Sequence, residues 1–483
     1  MSFQRVQQVR VAIPREAVWG ALMTPDVWPV MDDAVQRCTP VAEDGTVLVD
    51  VAAGEAGDLA VGQRIMVVPR AVARGTVHAL TAPPARIVEV VEGFRFAWQQ
   101  DQPGGFTRVK WSLIDSADGR GTIVERRIEA EGPLGSAAGG AAFGGLLDSD
   151  LSKVGARLFE MLAEEAERDA AQALPLVVIA GGTGFLGARL AHTLMARGRR
   201  VVVLSRKRRT GGLVPRRQWD GVSQGEWSEL FADPAGVSVV NMVGPRMFKK
   251  ATAEKLAELR VARVTAARAL NQAARKAKRV TGWIHASALA LTTDANAEDY
   301  TADTAPDWAP ESVPGMAALL KEWEAAAPDN AVVVRTAPVL GSGMPGLAGL
   351  KTVAAARVHP AEDSWLSWIH VEDWARIVVH ALLMQEEQAA AEGRGFEALR
   401  HRVVVAAAPE PIRLSEALQL LGSASGKGWQ LRVPAGLMRA VGELAGFEPE
   451  LLLTGVKART NAAEILGPVF EYPDFERAAA SFR

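Results

Sequence analysis

Three glycines in the stretch VVIAGGTGFLGARLA, residues 177–191, have the spacing of a loop that holds nucleotide phosphates. Gly181, Gly184 and Gly187 form G-x-x-G-x-x-G between an apolar run and a helical pattern. Such a loop must leave a strand sharply, approach a pyrophosphate and pack a helix on the sheet, which residues without a Cβ permit. The helix then points free N–H groups and the positive end of its dipole at the phosphates. The pattern predicts dinucleotide binding, and the alternative is a tight structural turn.

The second strand of this pattern indicates which dinucleotide is bound. An NAD site has an acidic residue about 20 residues after the glycines, where it holds the adenosine ribose hydroxyls. Here the segment LSRKRR has Ser205 and Arg206 at that position and no acid. A hydroxyl with an arginine suits a 2′-phosphate, so we predict NADP(H), with a solvated basic turn as the alternative. The residues predicted to bind the cofactor here are Gly181, Gly182, Thr183, Gly184, Phe185, Leu186, Gly187, Ser205 and Arg206.

Strands and helices alternate around this loop. The apolar runs PLVVIA, RVVVLS, VSVVNMVG, RVTGWIHAS and NAVVVRTAPVLG are separated by other segments, several of them helical in pattern, in the order that produces a parallel sheet. Continuous apolar runs are typical of strands that are buried on both faces. We therefore predict an α/β Rossmann-type doubly wound parallel sheet over residues 175–410. The pattern after it predicts a small, mainly helical C-terminal cap over residues 411–483.

The first third of the chain follows another pattern. Short strand-like pieces with turn residues between them follow one early helical piece, and an amphipathic helix begins at Leu151. An antiparallel sheet of this kind must bury one face, and the long helix can cover it. The polar, alanine-rich end of the helix, near residues 168–175, predicts a linker. We therefore place the first domain at residues 1–168.

The segment IPREAVWGALMTPDVWPVMDD, residues 13–33, resembles the opening helix and following loop of START-like (SRPBCC) ligand-binding domains. The resemblance implies an α+β START-like helix-grip fold for residues 1–168. It also implies a cavity for an apolar ligand between sheet and helix. The candidate lining residues are Trp28, Phe96, Trp98 and Trp111, and the alternative for each is an ordinary core aromatic.

A further set of ordered blocks carries a family resemblance. They are VVNMVG (239–244), WIHASAL (283–289), RTAPVLG (335–341) and WLSWIHVEDWARIVVHAL (365–382). With the glycine spacing, they resemble the extended short-chain dehydrogenase/reductases of the NAD(P)-dependent epimerase family, over roughly residues 175–483. The subgroup is the epimerase-like one labelled nucleoside-diphosphate-sugar epimerase or cell-division-inhibitor-like. The resemblance implies that Asn241, Val243 and Gly244 also bind the cofactor and that Ser287 is catalytic.

The reaction of that family uses a Ser, a Tyr and a Lys. The Tyr phenol exchanges a proton with the substrate oxygen while the nicotinamide exchanges a hydride, and such groups must lie within about 3 Å of the reacting oxygen. Ser287 matches the Ser, but Leu291 and Thr292 occupy the tyrosine positions, and Lys321 is one residue out of register. Tyr300 lies in a polar segment that could fold over the site, which makes it a candidate substitute acid.

Histidines near these motifs have both structural and chemical interpretations. His285 precedes Ser287 by two residues, so it is either a proton donor at the strand end or a structural histidine. His370 and Asp373 match residues of the subgroup, and the simplest role of His370 is to brace the cofactor domain against the C-terminal cap. We predict no metal site, because the seven histidines lack paired spacing and Cys38 is the single cysteine.

Composition sets the expectations about partners and location. The chain has 483 residues, of which 48% are hydrophobic and 23% charged, and a net charge of −2. These values are typical of a globular protein and argue against nucleic-acid binding through bulk charge. The first residues lack an apolar signal core, one cysteine suits a reducing compartment, and no apolar run reaches the ~20 residues of a membrane span. We therefore expect a cytoplasmic protein with no membrane span and a small-molecule substrate or ligand.

Two functions remain open on these residues. The first is an NADP(H)-dependent oxidoreductase or epimerase-like enzyme that transforms an unknown small carbonyl or hydroxyl compound, with Ser287 polarising its oxygen. The second is a non-catalytic NADP(H)-binding sensor or scaffold, which the missing Tyr and Lys favour. Removing a general acid typically slows a reaction about 10²- to 10⁴-fold, so a slow enzyme remains compatible with the sequence.

Overall fold

The structure, a computed structural model, describes most of the chain. The described ranges are residues 2–42, 46, 59–70, 83–102, 104–132, 149–207, 211–244, 253–289, 299–305, 315–361, 363–392, 403–422, 431–437 and 454–482. The chain divides into two compact units. The N-terminal unit comprises Met1–Ala171, His192–Arg199 and Ala480–Arg483, and the Rossmann unit comprises Gln172–Ala191 and Arg200–Ala479.

The N-terminal unit is built on a seven-stranded antiparallel sheet. Its strands are β1 (Ser2–Val11), β2 (Val35–Val41), β3 (Arg64–Pro69), β4 (Ala85–Val91), β5 (Arg95–Gln102), β6 (Gly105–Asp115) and β7 (Thr122–Glu131). They are hydrogen-bonded in the order β1-β7-β6-β5-β4-β3-β2. The helices are α1 (Arg15–Met23), α2 (Trp28–Met31), α3 (Leu151–Leu162) and α4 (Glu165–Gln172).

Alternating burial gives this sheet its core face. Every second residue of β6 from Thr107 to Leu113, and of β7 from Thr122 to Ala130, is buried, which is the period-two pattern of a strand with one face covered. Helix α3 belongs to the same core. Gly155 lets it approach closely, since a Cβ there would lie 3.0 Å from the Val9 side chain.

The four aromatic residues proposed to line an apolar cavity lie in this packed core. They are Trp28, Phe96, Trp98 and Trp111, none more than 4% exposed. The rings of Trp28 and Phe96 meet edge to face with centroids 5.7 Å apart, a favourable arrangement for two buried aromatics. This packing is what the core-aromatic alternative predicts, and the apolar ligand stays a prediction.

A buried ion pair lies within the same core. Arg126 of β7 donates from Nη1 to Asp32 Oδ2 at 2.8 Å and from Nη2 to Gln7 Oε1 at 2.7 Å. Its Nη1 also donates to Ser149 Oγ at 3.0 Å, and its guanidinium lies 5.4 Å from the Trp111 ring centroid. Because a buried charge without partners is strongly destabilising, this network fixes β1, β7 and the entry to α3 relative to one another.

The Rossmann unit alternates strands and helices as the sequence predicts. Its strands are β8 (Leu176–Ala180), β9 (Val201–Ser205), β10 (Arg216–Gln218), β11 (Val237–Asn241), β12 (Val280–Ala288), β13 (Val332–Thr336), β14 (Val339–Leu340), β15 (Val358–Pro360), β16 (Trp365–Leu366), β17 (Ile369–His370), β18 (Val403–Ala406), β19 (Ile412–Arg413) and β20 (Leu431–Val433). The helices that begin in this unit are α5 (Phe185–Ala196), α6 (Ala253–Arg260), α7 (Ala266–Ala274), α8 (Met316–Ala325), α9 (Pro345–Ala355), α10 (Val371–Glu392), α11 (Leu414–Gly422), α12 (Ala462–Leu466) and α13 (Phe475–Phe482).

Seven of these strands form one parallel sheet, so the predicted Rossmann-type fold is confirmed. The strand order is β10-β9-β8-β11-β12-β13-β18. The order reverses between β8 and β11, which makes this the switch point where ligands of open α/β sheets bind. Register places Ala180, Asn241 and His285 side by side across β8, β11 and β12. Ser287 lies two residues further along β12, beside Arg335 of β13.

The remaining strands form three two-stranded pairs, β14-β17, β15-β20 and β16-β19. Helix α11 packs on α9 through Val353, Leu414 and Leu418. Within the described ranges, no helix is both long and apolar enough to cross a membrane. The domain ranges 1–168, 175–410 and 411–483 stay predictions.

The buried pair predicts a large difference between two arginine variants. Arg126→Met leaves the Asp32 carboxylate buried without its cation, so we expect the free energy of unfolding of the N-terminal unit to fall by about 3–5 kcal/mol. Arg10→Met is the control, because Arg10 pairs with the half-exposed Asp118 and surface pairs contribute at most about 1 kcal/mol. Urea unfolding of the full chain measures both. Equal losses in the two variants would contradict a structural role for the buried network.

Candidate functional site

The glycine loop lies at the switch point of the parallel sheet. Gly181 follows β8 with a φ of +89°, and a Cβ there would lie 2.6 Å from the carbonyl oxygen of Met242, just after β11. A side chain would therefore be strained by its backbone conformation and would collide with backbone atoms. The sharp turn predicted for the first glycine is present.

The other two glycines of the motif face different surroundings. A Cβ on Gly187 would lie 2.4 Å from Gly182 Cα, so this glycine allows helix α5 to pack against the end of β8. A Cβ on Gly184 would have one neighbour, Gly181 O at 3.7 Å, which is ordinary contact. Gly184 and Thr183 are exposed. The loop is therefore closed towards the sheet and open on the side where a pyrophosphate would approach.

Phe185 and Leu186 begin helix α5 and are partly buried. A Cβ on Gly341 would lie 3.4 Å from the Phe185 ring, so this ring packs against the turn that follows β14. Arg189 of the same helix donates to Glu372 of α10 at 2.8 Å in a buried ion pair. These contacts hold the first turns of α5 in place.

Ser205 and Arg206 lie at the carboxyl end of β9, next to the glycine loop strand. The Ser205 hydroxyl accepts a hydrogen bond from the Lys207 backbone N–H at 3.3 Å, and the Arg206 side chain is exposed. Gln218 of β10 donates to the Arg206 carbonyl oxygen at 3.5 Å. The hydroxyl and the arginine are thus positioned by two neighbouring strands, with Arg206 open to a ligand.

Asn241, Val243 and Gly244 lie at and just after the end of β11. Asn241 is fully buried, and its Oδ1 accepts from the Val243 N–H at 3.3 Å, which caps the turn. Gly244 is exposed and has a φ of +154°. The Arg263 guanidinium lies against it, so a Cβ there would lie 2.6 Å from Arg263 Cζ.

Arg263 comes from a π-helical segment, Val261–Thr265, between α6 and α7. Such segments often occur at functional sites. The guanidinium lies 4.9 Å from the Trp323 ring centroid, and burial lowers the pKa of Arg263 to about 10. Nothing in the local sequence spacing marks this arginine as part of the site.

His285 is a buried histidine between Asn241 and Trp323. Its Nδ1 lies 3.4 Å from Asn241 Nδ2, and its ring meets that of Trp323 edge to face at 5.6 Å. Burial lowers the pKa of His285 to about 4, although the Trp323 backbone favours the protonated ring. The ring is therefore neutral at physiological pH, as expected for a structural histidine.

Ser287 belongs to a polar cluster formed by α8, β12, β13 and residues 299–305. Its Oγ donates to Glu324 Oε1 at 2.7 Å. Arg335 pairs with the same carboxylate through two hydrogen bonds of 2.9 Å, one to each oxygen. The Arg335 guanidinium also lies 5.8 Å from the Tyr300 ring centroid. Burial alone would lower the pKa of Arg335, but Glu324 and Tyr300 together raise it above its usual value.

Tyr300 and Lys321 are the other candidates for the missing catalytic pair. Tyr300 is fully buried, and its backbone pairs with that of Lys457 and Arg459. Lys321 is exposed on helix α8, as its shift in register predicts. Leu291 and Thr292, at the tyrosine positions of the motif, lie outside the described residues.

His370 and Asp373 hold the C-terminal segment. The His370 ring stacks on Tyr472 with centroids 3.7 Å apart. Asp373 accepts from the N–H groups of Glu471 and Tyr472 at 2.9 and 3.0 Å. Burial raises the pKa of Asp373, and Arg376 together with these N–H groups opposes that shift. Among the described residues, no group of three or more His, Cys, Asp or Glu side chains could hold a metal ion.

Comparison with known proteins agrees with this geometry. Residues 177–394 match the sequence profile of the NAD dependent epimerase/dehydratase family. This part of the chain is an epimerase-family domain. It covers β8 to the end of α10, and so it includes the glycine loop, Ser287 and the polar cluster around it.

Several relatives share this epimerase-family domain. An epimerase family protein SDR39U1 homolog, chloroplastic, from Arabidopsis thaliana is 25% identical over 345 residues, 68% of this chain and 91% of the relative. Human epimerase family protein SDR39U1 is 26% identical over 328 residues, 62% of this chain and 97% of the relative.

Solved structures resemble the fold. A nucleoside-diphosphate sugar epimerase from Corynebacterium glutamicum aligns over 100% of this chain and 89% of its own, with a TM-score of 0.50 and 18% identity. A structure of human SDR39U1 (isoform 2) with NADPH aligns over 63% of this chain and 98% of its own, with a TM-score of 0.49 and 24% identity.

The sequence did not point to two residues of the polar cluster in the epimerase-family domain. Arg335 lies in the block RTAPVLG, and the one feature of the sequence that distinguishes it is that it is a charged residue within an apolar strand. Glu324 lies in a helix rich in charge, where no spacing distinguishes it from Glu322. A buried arginine requires an acidic partner, so the first residue could have prompted a search for the second.

The neutral His285 predicts a pH dependence of stability. In the unfolded chain the ring protonates near its ordinary value of about 6.5, whereas in the folded domain it stays neutral until about pH 4. The folded pKa is depressed, so this stability is present above pH ~6.5 and is lost as the pH falls towards 4, by up to about 3 kcal/mol.

Denaturant unfolding from pH 7.5 to 4 measures this effect. The difference in unfolding free energy between wild type and His285→Gln should shrink as the pH falls. His192→Gln, at a partly buried histidine beside Asp150, is the control. Parallel curves for wild type and His285→Gln would show that His285 protonates as readily in the folded protein as in the unfolded one.

Proposed function

We propose that this chain is an NADP(H)-binding epimerase/oxidoreductase-like protein that acts on a small carbonyl or hydroxyl compound. The observation that carries the proposal is the glycine loop at the switch point. A Cβ on Gly181 or Gly187 would collide with backbone atoms, whereas a Cβ on Gly184 would make only an ordinary contact. That arrangement suits a pyrophosphate on the N-terminus of α5.

The choice of NADP(H) depends on the end of β9. Ser205 and the exposed Arg206 stand where an NAD site has its acid. An arginine can grip a 2′-phosphate with two parallel hydrogen bonds, and a hydroxyl adds a third. Asn241, Val243 and Gly244, at and just after the end of β11, are proposed to hold the rest of the cofactor, with the exposed Gly244 nearest to it and the buried Asn241 capping the turn.

Ser287 is the proposed catalytic residue. It lies on β12 two residues past His285, the residue that pairs with Asn241 of β11. This position is at the carboxyl edge of the sheet, where substrates of open α/β sheets bind. Its hydroxyl is held by Glu324 at 2.7 Å, so its orientation is fixed before a substrate arrives. Preorganised groups of this kind contribute more to catalysis than groups that must reorganise.

We also propose that residues 1–168 form a START-like helix-grip domain with an apolar ligand. The seven-stranded antiparallel sheet with α3 on its core face supports this fold. The four core aromatics belong to one buried cluster, so a ligand would have to displace part of this packing or bind beside it.

Cofactor titration tests the binding part of the proposal. Wild type should bind NADPH at least about 10-fold more tightly than NADH. Arg206→Ala should weaken NADPH binding by about 10- to 100-fold, because a hydrogen bond to a charged group contributes about 1.5–3 kcal/mol. NADH binding should stay unchanged. Arg275→Ala, at the exposed end of α7, is the control. Equal affinity of wild type for NADPH and NADH would refute the assignment.

Turnover tests the catalytic part. Purified protein mixed with NADPH and a broad carbonyl panel should consume the reduced cofactor, and Ser287→Ala should lower the rate about 100-fold or more without changing the affinity for NADPH. The readout is absorbance of the reduced nicotinamide. Tight NADPH binding with no turnover of any compound would instead indicate the sensor or scaffold.

A further inference from the structure

The direction of the Ser287 hydrogen bond limits what this residue can do. A serine hydroxyl has one proton to donate and two lone pairs to accept with. The proton is directed to Glu324 Oε1 at 2.7 Å. The lone pairs therefore remain for a substrate, and the group that suits them is a donor such as a hydroxyl.

Arg335 holds the Glu324 carboxylate in place. Its Nε and Nη2 donate to the two carboxylate oxygens at 2.9 Å each. This bidentate geometry fixes the plane of the guanidinium relative to the plane of the carboxylate. Arg335 also donates from Nη1 to the carbonyl oxygens of Ala302 and Thr304. The Arg335 side chain is 4% exposed and that of Glu324 11%. The carboxylate is thus held in place by Arg335 and is nearly out of water.

We propose that Glu324 is the positioning residue and terminal proton acceptor of the reaction, acting through Ser287 in place of the missing tyrosine. This proposal rests on the proposed function, which supplies the nicotinamide cofactor. Ser287 contacts the substrate, and Glu324 acts on the substrate only through Ser287.

The step balances when NADP⁺ is the oxidant. The substrate hydroxyl gives its proton to Ser287 Oγ while Ser287 gives its own proton to Glu324 Oε1. The carbon that bears the hydroxyl gives a hydride to the nicotinamide, so its C–H and O–H bonds break and a C=O bond forms. A bound NADP⁺ would supply the oxidant, the alcohol would be oxidised, and Glu324 would become a neutral acid that returns its proton to solvent.

The other titratable groups around Glu324 are less suited to this role. On β12, His285 is fully buried and neutral. Tyr300 is fully buried, with its ring beside the Arg335 guanidinium. On β13, Arg335 donates protons in hydrogen bonds but cannot accept one. Glu324 is the acceptor in direct contact with the Ser287 hydroxyl.

The structure offers a matched control on the same helix. Glu322 lies two residues before Glu324, and it pairs with Arg260 on the surface, where both side chains are more than 40% exposed. Glu322→Gln removes the same charge from α8 without touching Ser287. Comparison of Glu324→Gln with Glu322→Gln therefore separates the proton path from the charge of the helix.

The experiment measures steady-state oxidation, by NADP⁺ and the full chain, of the alcohol whose carbonyl form wild type reduces fastest. Glu324→Gln should lower kcat by about 100-fold or more and leave the NADPH dissociation constant within about twofold. Glu324→Asp, which keeps a carboxylate, should recover part of the rate. Glu322→Gln should match wild type. If Glu324→Gln does not fold, the double variant Glu324→Gln/Arg335→Gln, which leaves no charge unpaired, takes its place.

Three outcomes would overturn the proposal. Glu324→Gln could keep the wild-type rate while Ser287→Ala loses it. Tyr300→Phe could lower kcat about 100-fold while Glu324→Gln leaves it near the wild-type value. Both leave the proposed function standing. An inactive wild-type protein would overturn the proposed function, and the role of Glu324 with it.

Discussion

The close approach of two backbone segments, at Gly181 and Met242, is the constraint on which the Rossmann unit depends. A Cβ on Gly181 would lie 2.6 Å from Met242 O, so the turn after β8 and the turn after β11 can be neighbours only if one lacks a side chain. Gly187 repeats the requirement one helical turn later, against Gly182. With both contacts made, α5 begins at Phe185, directly after the glycine loop, so its first backbone N–H groups lie beside that loop. An anion there would be held by backbone rather than by side chains.

Buried arginines impose a second constraint, and each unit has at least one that is paired with an acid. Arg126 pairs with Asp32 and Arg335 with Glu324, in all four cases with side chains at most 11% exposed. Because a buried charge tolerates few geometries, such a pair fixes elements that are distant in the sequence. The Arg126 network ends in the aromatic core. The Arg335 network ends at Ser287, at the carboxyl edge of the parallel sheet, where ligands of such sheets bind. Because of this location, the pair of Arg335 and Glu324 can take part in chemistry.

Structural features that depend on residues adjacent in the chain can be predicted from this sequence. Contacts between residues that are distant in the chain cannot. The apolar strand, the glycines and the next helix are contiguous, so the loop and its parallel sheet follow from local pattern. Lys321 is out of register by one residue, and the helix does place it at the surface. The contact between Ser287 and Glu324 joins residues 37 positions apart. Its existence depends on how α8 packs beside β12, which no local spacing encodes. The same holds for Arg263, which reaches Gly244 from a π-helical segment.

The absence of a tyrosine from its usual motif position need not mean that the site lacks a proton path. A phenol both donates and accepts, so it serves hydride transfer in either direction. A serine with a carboxylate behind it can do the same, since the carboxylate accepts the proton in oxidation and, once protonated, returns it through the serine in reduction. The proposed path then depends on Glu324 as well as on the residue that touches the substrate. With its proton donated to Glu324, Ser287 presents its lone pairs and favours a hydroxyl.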